Sequence, residues 1–295
     1  MRRVDRCELM ALFDQLKTIF AGGQLNVSKR FALLNEAISG TMSSFYMARD
    51  LRTDRLVGLK ILDPRKTVAF ESRFKGLKKP SEGQIASQLK HPSIVETLEH
   101  GVTTEGAPYL VMEYLEGPNM NTALAAHDPC LDGRRVHLMR QAAEAIAAVH
   151  EAGFIHRDVC PRNFMLTNGR QDLKLIDFGL AVPATRWFMQ PGNRTGTPNY
   201  MAPELVRRRE TDQRLDVFAF GVTAYELWTF ELPWPRGTTG MAAMSHDQPP
   251  IDIRELRPDL PTVLVKAIHS CIEPEPSRRC PSMDDFLRMI RKLQD

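Results

Sequence analysis

The positions of the apolar side chains divide the chain into a strand-rich first part and a helix-rich second part. Short alternating apolar segments predict strands in the first part. Apolar residues spaced three and four apart predict helices in the second. The change falls near Leu115, where Glu116-Gly117-Pro118 interrupts the chain. The strands are predicted over residues 30–48 (in two pieces around Gly40), 57–62, 94–100 and 108–114, and the helices over residues 81–89, 134–150, 212–230, 261–271 and 283–293.

A further amphipathic helix is predicted over residues 7–20, ahead of the strands. We interpret residues 1–27 as a helical extension that caps the domain, with binding of a regulatory partner or a membrane surface as the alternative. The domain itself is predicted over residues 28–295, with a small lobe at 28–115 and a larger lobe at 116–295. The apolar residues of the extension are Leu9, Leu12, Phe13, Leu16, Ile19 and Phe20.

The composition is that of a soluble globular protein, with 43% apolar and 25% charged residues. A net charge of +3 without a long basic run argues against nucleic acid as a partner. Five cysteines without a C-x-x-C pair indicate neither a disulfide framework nor a zinc ribbon, and favour a reducing compartment. The longest nearly apolar run, residues 217–228, is too short for a membrane span and contains Glu226. We therefore expect a cytoplasmic protein.

Candidate chemistry is concentrated in residues 156–163, which contain His, Arg, Asp and Asn side chains in one short loop. Asp158 and Asn163 are placed to act as a proton acceptor and a metal ligand. Asp177 supplies a second carboxylate directly after an apolar strand. Two carboxylates and an amide fit a magnesium-phosphate site, although a polar surface turn is the simpler alternative for the loop.

Lys60 lies in a predicted apolar strand, between Leu59 and Ile61. A lysine in that position either extends to solvent or meets an anion. The residue pattern alone leaves both open.

Several separated motifs stand in one order along residues 30–293, and together they resemble the eukaryotic-like protein kinase family. The resemblance implies an α+β fold of two lobes, a small β-rich N-lobe and a larger α-helical C-lobe. The motifs are Val57-Gly58-Leu59-Lys60, His156-Arg157-Asp158, Asp177-Phe178-Gly179, Gly196-Thr197-Pro198-Asn199-Tyr200, Ala202-Pro203-Glu204, Asp216-Val217-Phe218-Ala219-Phe220-Gly221 and the late Arg279.

The resemblance implies transfer of the γ-phosphate of ATP to a hydroxyl of a protein substrate. Asp158 would accept the proton of that hydroxyl. Lys60 would bind the α- and β-phosphates and pair with Glu82. Asn163 and Asp177 would hold Mg²⁺, with Mn²⁺ as an alternative.

The resemblance also implies where the nucleotide binds. Met112 would be the gatekeeper residue, and the backbone from Glu113 to Leu115 would be the hinge that contacts adenine. The full set of nucleotide-binding residues implied is Gly40, Phe45, Gly58, Lys60, Met112, Glu113, Leu115, Met165 and Asp177.

The glycine-rich loop departs from the family pattern. Ile38, Gly40 and Ser43 stand where the family has three glycines, so only the middle one is present. Phe45 occupies the valine position above adenine, and Gly58 replaces the neighbouring alanine. We hypothesise that the larger and the smaller residue compensate each other.

The catalytic loop departs from the Ser/Thr kinase pattern because Cys160 stands where those enzymes have a lysine. Loss of one charge-assisted hydrogen bond costs about 1.5–3 kcal/mol. Arg162 stands where tyrosine kinases place an arginine with the same role, and is expected to act in catalysis. The segment from Gly196 to Glu204 is of the Ser/Thr type, and because it contacts the substrate we predict Ser/Thr specificity.

The same resemblance gives three expectations for the activation segment. Thr195, and after it Thr185, are candidate phosphorylation sites that would be bound by Arg157. Thr197 is expected to have a structural role beside Asp158. Glu204 is expected to pair with Arg279.

Two other functions compete with an active protein kinase. A pseudokinase, which binds nucleotide and acts as a signalling scaffold, is favoured by the eroded glycine-rich loop and opposed by Lys60, Asp158, Asn163 and Asp177. A small-molecule phosphotransferase is opposed by the peptide-docking segment before Glu204. There is no Gly-Lys dipeptide, so a Walker-type P-loop is excluded.

Overall fold

A computed structural model describes residues 25–40, 42–74, 76–192, 195–236 and 242–295, so the helix predicted over residues 7–20 lies outside the described residues. The chain divides into two compact units. The first contains the described chain up to Ser72 together with Thr97–Tyr114, and the second contains Arg73–Glu96 and Leu115–Asp295. The change of unit after Tyr114 coincides with the predicted change from strands to helices, whereas residues 73–96 pack with the second unit.

The first unit is built on an antiparallel sheet with the strand order β1-β3-β4-β6-β5, and β2 pairs with the free end of β3. Because successive side chains alternate, Val57 and Leu59 of the central strand enter the core beside Phe31 and Tyr109. Lys60 therefore lies on the opposite face, paired in register with Phe45 and Leu110. The strands are β1 Phe31–Leu33, β2 Ile38–Ser39, β3 Ser43–Asp50, β4 Arg55–Leu62, β5 Thr97–Val102 and β6 Pro108–Glu113, and the helices are α1 Val27–Arg30 and α2 Pro64–Glu71.

Helix α2 was not predicted, because only Phe70 of its eight residues is buried and no apolar stripe marks it. The sequence feature that marks this helix is the pair of residues at its N-terminus. The side chain of Asp63 accepts hydrogen bonds from the amides of Arg65 and Lys66, and Pro64 occupies the first turn. This is an N-cap followed by a residue whose missing N–H costs nothing there.

The second unit is mainly helical and is arranged around α7 Arg214–Thr229. Every residue of that helix from Leu215 to Trp228 is buried, as expected of a helix packed on all sides. The helices are α3 Glu82–Ala86, α4 Met120–Ala125, α5 Arg135–Glu151, α6 Pro203–Val206, α7, α8 Ile253–Leu256, α9 Thr262–Cys271 and α10 Met283–Ile290; the short strands are β7 Phe154–Ile155, β8 Phe164–Thr167, β9 Asp172–Leu175 and β10 Val182–Pro183; and 3-10 turns cover Ser72–Phe74, Pro129–Leu131, Pro161–Asn163, Pro198–Tyr200 and Ala242–Ser245.

Several predicted elements are shorter, shifted or divided. The segment predicted as two strands around Gly40 forms the three strands β1 to β3, and the helix predicted over residues 283–293 ends at Ile290. The helix predicted over residues 81–89 ends at Ala86, although Ser81 and Gln84 form a complete capping box at its start. The strand predicted over residues 94–100 begins only at Thr97. The apolar residues before Thr97 belong to the second unit, where the Val95 amide donates to the Leu175 carbonyl at 3.0 Å.

Within the described ranges, none of the helices has both the length and the apolar character needed to cross a membrane.

Candidate active site

The catalytic loop is fixed to the start of helix α7 by Asp216. Its carboxylate is 1% exposed and accepts hydrogen bonds from the amides of His156 (2.7 Å) and Arg157 (2.8 Å) and from Nε2 of His150 (2.9 Å). Burial alone would raise the pKa of Asp216, but the hydrogen bond and charge of His150 hold it below its usual range. An ionised carboxylate therefore holds the beginning of the loop in place.

The other end of the loop is joined to the segment that carries Asp177. The Ile176 amide donates to the Asn163 carbonyl at 2.8 Å. The buried ring of His156 packs edge-on against Phe178, with centroids 5.3 Å apart. The loop and the Asp177-Phe178-Gly179 turn are thus held against each other by both backbone and side-chain contacts.

Asp158 lies at the centre of a hydrogen-bond network and is 8% exposed. Its Oδ1 accepts from the Thr197 hydroxyl at 2.7 Å and from the Thr197 amide at 3.0 Å. Its Oδ2 accepts from Nη2 of Arg162 at 2.8 Å and from Nδ2 of Asn163 at 3.0 Å. These bonds fix the orientation of the carboxylate, and they confirm the expected place of Thr197 beside Asp158.

The two unusual loop residues differ sharply in their surroundings. Arg162 keeps 55% of its side chain exposed while its guanidinium reaches Asp158. Cys160 is buried beneath Thr197, with Sγ 3.6 Å from the threonine hydroxyl. Burial, followed by the charge of Asp158, raises the pKa of the Cys160 thiol to about 12. At neutral pH this thiol is protonated and a poor nucleophile, so Cys160 is a packing residue and not a reactive one.

Asn163 and Asp177 have the chemistry of magnesium ligands. The amide nitrogen of Asn163 is bound to the Asp158 carbonyl at 2.7 Å, and its amide oxygen is the atom suited to a metal. Asp177 is exposed, has a φ of 64°, and its Oδ1 accepts from the Gly179 amide at 3.0 Å. In the described part of the chain no three His, Cys, Asp or Glu side chains form a metal-binding group. One carboxylate and one amide still fit Mg²⁺, which keeps several waters and takes substrate phosphate oxygens as ligands.

Glu82 lies against the same turn. A Cβ added at Gly179 would lie 3.3 Å from Oε2 of Glu82 and 3.2 Å from Oδ1 of Asp177. Glycine at 179 therefore leaves room for the two carboxylates to approach the backbone. Glu82 is 7% exposed and Lys60, in the first unit, is 8% exposed. Their ion pair stays a prediction.

Three of the implied nucleotide residues pack together in the first unit. A Cβ added at Gly58 would lie 2.9 Å from Cε2 and Cζ of Phe45 and 3.0 Å from Cγ of Met112. Real Cβ contacts are longer than this, so the Phe45 ring takes the space of the missing methyl group. The geometry supports the hypothesis that the large residue at 45 and the small one at 58 compensate each other.

Gly40 and Glu113 also belong to the implied nucleotide-binding set and lie in the first unit. The Gly40 amide donates to the Ser43 carbonyl at 2.7 Å, which closes the turn between β2 and β3. Glu113 is the last residue of β6 and pairs with Val57.

Leu115 and Met165 belong to the second unit. The Leu166 amide, next to Met165 in β8, donates to the Pro118 carbonyl at 2.9 Å. Gly117 has a φ of 143°, and a Cβ there would lie 2.0 Å from the Leu166 carbonyl oxygen. The residues that follow Leu115 are thus fixed to the strand that carries Met165.

The activation segment is tied to the helical unit by the expected ion pair between Glu204 and Arg279. The N–O distances are 2.7 and 2.9 Å, and the two side chains are 4% and 0% exposed. The guanidinium also donates to the carbonyls of Glu273 and Arg214. The pair is confirmed as a buried and fully hydrogen-bonded contact.

Sequence reasoning assigned no role to two buried acids that organise this region. Asp216 was recognised only as part of a motif. Glu226 accepts from the Tyr200 hydroxyl at 2.5 Å and from Nη2 of Arg236 at 2.7 Å, which connects the segment before Glu204 to helix α7. The available signal was an acidic residue inside an apolar helix, because a buried carboxylate needs partners.

The helical and strand-rich units, the ordered motifs and the network around Asp158 define a class of protein. Residues 35–289 match the protein kinase domain family, and the chain belongs to that family and has its α+β fold. It is 33% identical over 270 residues to the serine/threonine-protein kinase pkn3 of Myxococcus xanthus, covering 86% of this chain and 48% of that protein. It is 33% identical over 260 residues to the serine/threonine-protein kinase PknB of Mycolicibacterium smegmatis, covering 82% of this chain and 40% of that protein. It is also 28% identical over 273 residues to the serine/threonine-protein kinase PrkC of Bacillus subtilis, covering 91% of this chain and 41% of that protein. The chain thus spans less than half the length of these relatives.

Proposed function

We propose that this chain is an ATP-dependent protein kinase that transfers the γ-phosphate of ATP to Ser or Thr hydroxyls of a protein substrate. The observation that carries the proposal is the Asp158 carboxylate, held by Thr197, Arg162 and Asn163 within one network. A pseudokinase that acts only as a scaffold has no need of a carboxylate oriented in this way. The names of the three relatives support Ser/Thr specificity.

Asp158 is the residue that accepts the proton of the attacking hydroxyl. Arg162 supplies positive charge beside it, in place of the lysine that Cys160 replaces. An arginine that is half exposed and bonded to the carboxylate through one Nη2 retains other N–H groups for a phosphate oxygen. Catalysis then rests on position and charge neutralisation, as expected for phosphoryl transfer.

Asn163 and Asp177 would hold Mg²⁺, with Mn²⁺ as the alternative, because both present hard oxygen ligands. When bound, the metal neutralises charge on the phosphate oxygens. Lys60 would bind the α- and β-phosphates, and Glu82 would orient it. The adenine would contact Phe45, Gly58, Met112, Met165 and the backbone from Glu113 to Leu115, with Gly40 above the phosphates.

Regulation through the activation segment is part of the proposal. Arg157 is buried, and burial lowers its pKa to about 10, so it remains a cation that can receive a phosphate group. The Thr195 hydroxyl is buried without a hydrogen-bond partner among the described residues. Its phosphorylation would require this part of the segment to rearrange. A regulatory partner for residues 7–20 and a cytoplasmic location stay predictions.

The test is a radiolabelled-ATP assay on a generic basic protein, with Asp158→Asn as the matched control. Asn has nearly the shape of Asp but cannot accept the proton. We expect label transfer only with the unsubstituted chain, and phosphoserine or phosphothreonine on acid hydrolysis. Equal signals from the two proteins would refute the proposal, and phosphotyrosine would refute the specificity alone.

A further inference from the structure

A groove of about 930 Å³ lies in the second unit, between helices α9 and α10, and is separate from the residues around Asp158. Four exposed cations line it: Arg278, Arg288, Arg291 and Lys292. The carboxylate that lines it, Asp285, is bound by Arg288 and by the Ser282 hydroxyl at 2.6 Å. These groups leave the groove with a net charge of +3, which equals the net formal charge of the whole chain.

The buried ion pair next to the groove does not explain why other cations line it. Arg279 also borders it, but this guanidinium is fully buried and bound to Glu204. Arg288 is paired with Asp285 on the same helix. The three remaining exposed cations, Arg278, Arg291 and Lys292, form no ion pair with another described residue.

The groove also has an apolar component. Val263 on α9 is 50% exposed and Met289 on α10 is 39% exposed, and both line it. Exposed apolar side chains flanked by charged ones are typical of interaction surfaces. The combination calls for a ligand that brings apolar and negatively charged groups together.

We propose that this groove binds an acidic, amphipathic peptide segment of a partner protein. Four spread cations are more than a single phosphate group requires, whereas a peptide with several Glu or Asp side chains can reach them all. The charge complementarity would act mainly on the association rate and on partner choice.

The test uses a short fluorescein-labelled peptide rich in Glu and Leu, and follows its fluorescence anisotropy with the whole chain. The control peptide carries Lys in place of each Glu. Phosphatidylserine vesicles and single-stranded DNA are added in separate arms as competitors. We expect saturable binding of the acidic peptide only, weakened by salt because the contacts are exposed.

The variants Arg291→Glu and Lys292→Glu each replace one attraction by a repulsion, and each should weaken peptide binding about two- to thirtyfold. Lys292→Gln, which only removes the charge, should have a smaller effect. Lys266→Glu is the matched control, since Lys266 is exposed on α9 but does not line the groove, and it should bind as the unsubstituted chain does.

Equal loss in Lys266→Glu, equal binding of the basic peptide, or no saturable binding below about 1 mM would overturn the proposal. Stronger binding of vesicles or DNA, lost in the same variants, would overturn the assignment to a peptide. Phosphoryl transfer is expected to be unchanged in all four variants, so a failure here is distinct from a failure of the proposed kinase activity.

Discussion

The contact between Phe45 and Gly58 gives a prediction whose size can be worked out from the structure. In Gly58→Ala the new methyl group would lie 2.9 Å from two carbons of the Phe45 ring and 3.0 Å from Cγ of Met112. Overpacking of this kind costs about 1–3 kcal/mol. Since Ala in a strand is otherwise favoured over Gly by about 0.5–1 kcal/mol, the net loss should be smaller than the steric cost alone.

The same substitution should cost less once the ring is removed. In a Phe45→Val background the two ring contacts are gone and only the flexible Met112 side chain lies close to the new methyl group, so Gly58→Ala should be neutral or stabilising. We therefore expect a coupling free energy of at least about 1 kcal/mol between the two positions in a double-mutant cycle. The free energy of unfolding is measured by urea titration for all four proteins.

Gly101→Ala is the matched control within the same sheet. Its methyl group would lie 3.1 Å from Cε1 of Tyr109, a similarly close contact with a different ring. Gly101→Ala and Phe45→Val should be additive to within about 0.5 kcal/mol. If Gly58→Ala is as additive with Phe45→Val as this control is, then the two residues do not compensate each other and the reasoning is wrong.

Three further predictions concern catalysis and the buried ion pair. Arg162→Ala should lower kcat about ten- to a hundredfold, because it removes one charge-assisted hydrogen bond beside Asp158. Calorimetry should give an unchanged Kd for ADP, and lost nucleotide binding would contradict the assignment. Lys60→Met should abolish label transfer in the kinase assay, and near-normal turnover would mean that another residue binds the phosphates. Arg279→Met should lower the free energy of unfolding by about 3–5 kcal/mol, because the Glu204 carboxylate stays buried without its partner. A urea titration that shows a loss of unfolding free energy below about 1 kcal/mol would refute this.

Several parts of the fold and of the candidate site could be predicted from the sequence because their signals are local. Helices over residues 134–150 and 212–230 were predicted within two residues of their observed bounds, since an apolar pattern at helical spacing is contained in the segment itself. Asp158 and Asp177 were identified as candidates because each stands in a short polar motif beside an apolar segment.

Contacts between distant residues that no motif predicted depend on the tertiary structure. The Asp216 carboxylate holds the His156 amide from 60 positions away, and the Tyr200 hydroxyl donates to the Glu226 carboxylate from 26 positions away. Nothing in the local sequence of either partner encodes these contacts, because they depend on how helix α7 and the activation segment pack. The same holds for Cys160, whose burial, and hence whose raised pKa, comes from its packing beneath Thr197. Residue types and their local spacing indicate which groups could do chemistry, and packing determines which of them are oriented to do it.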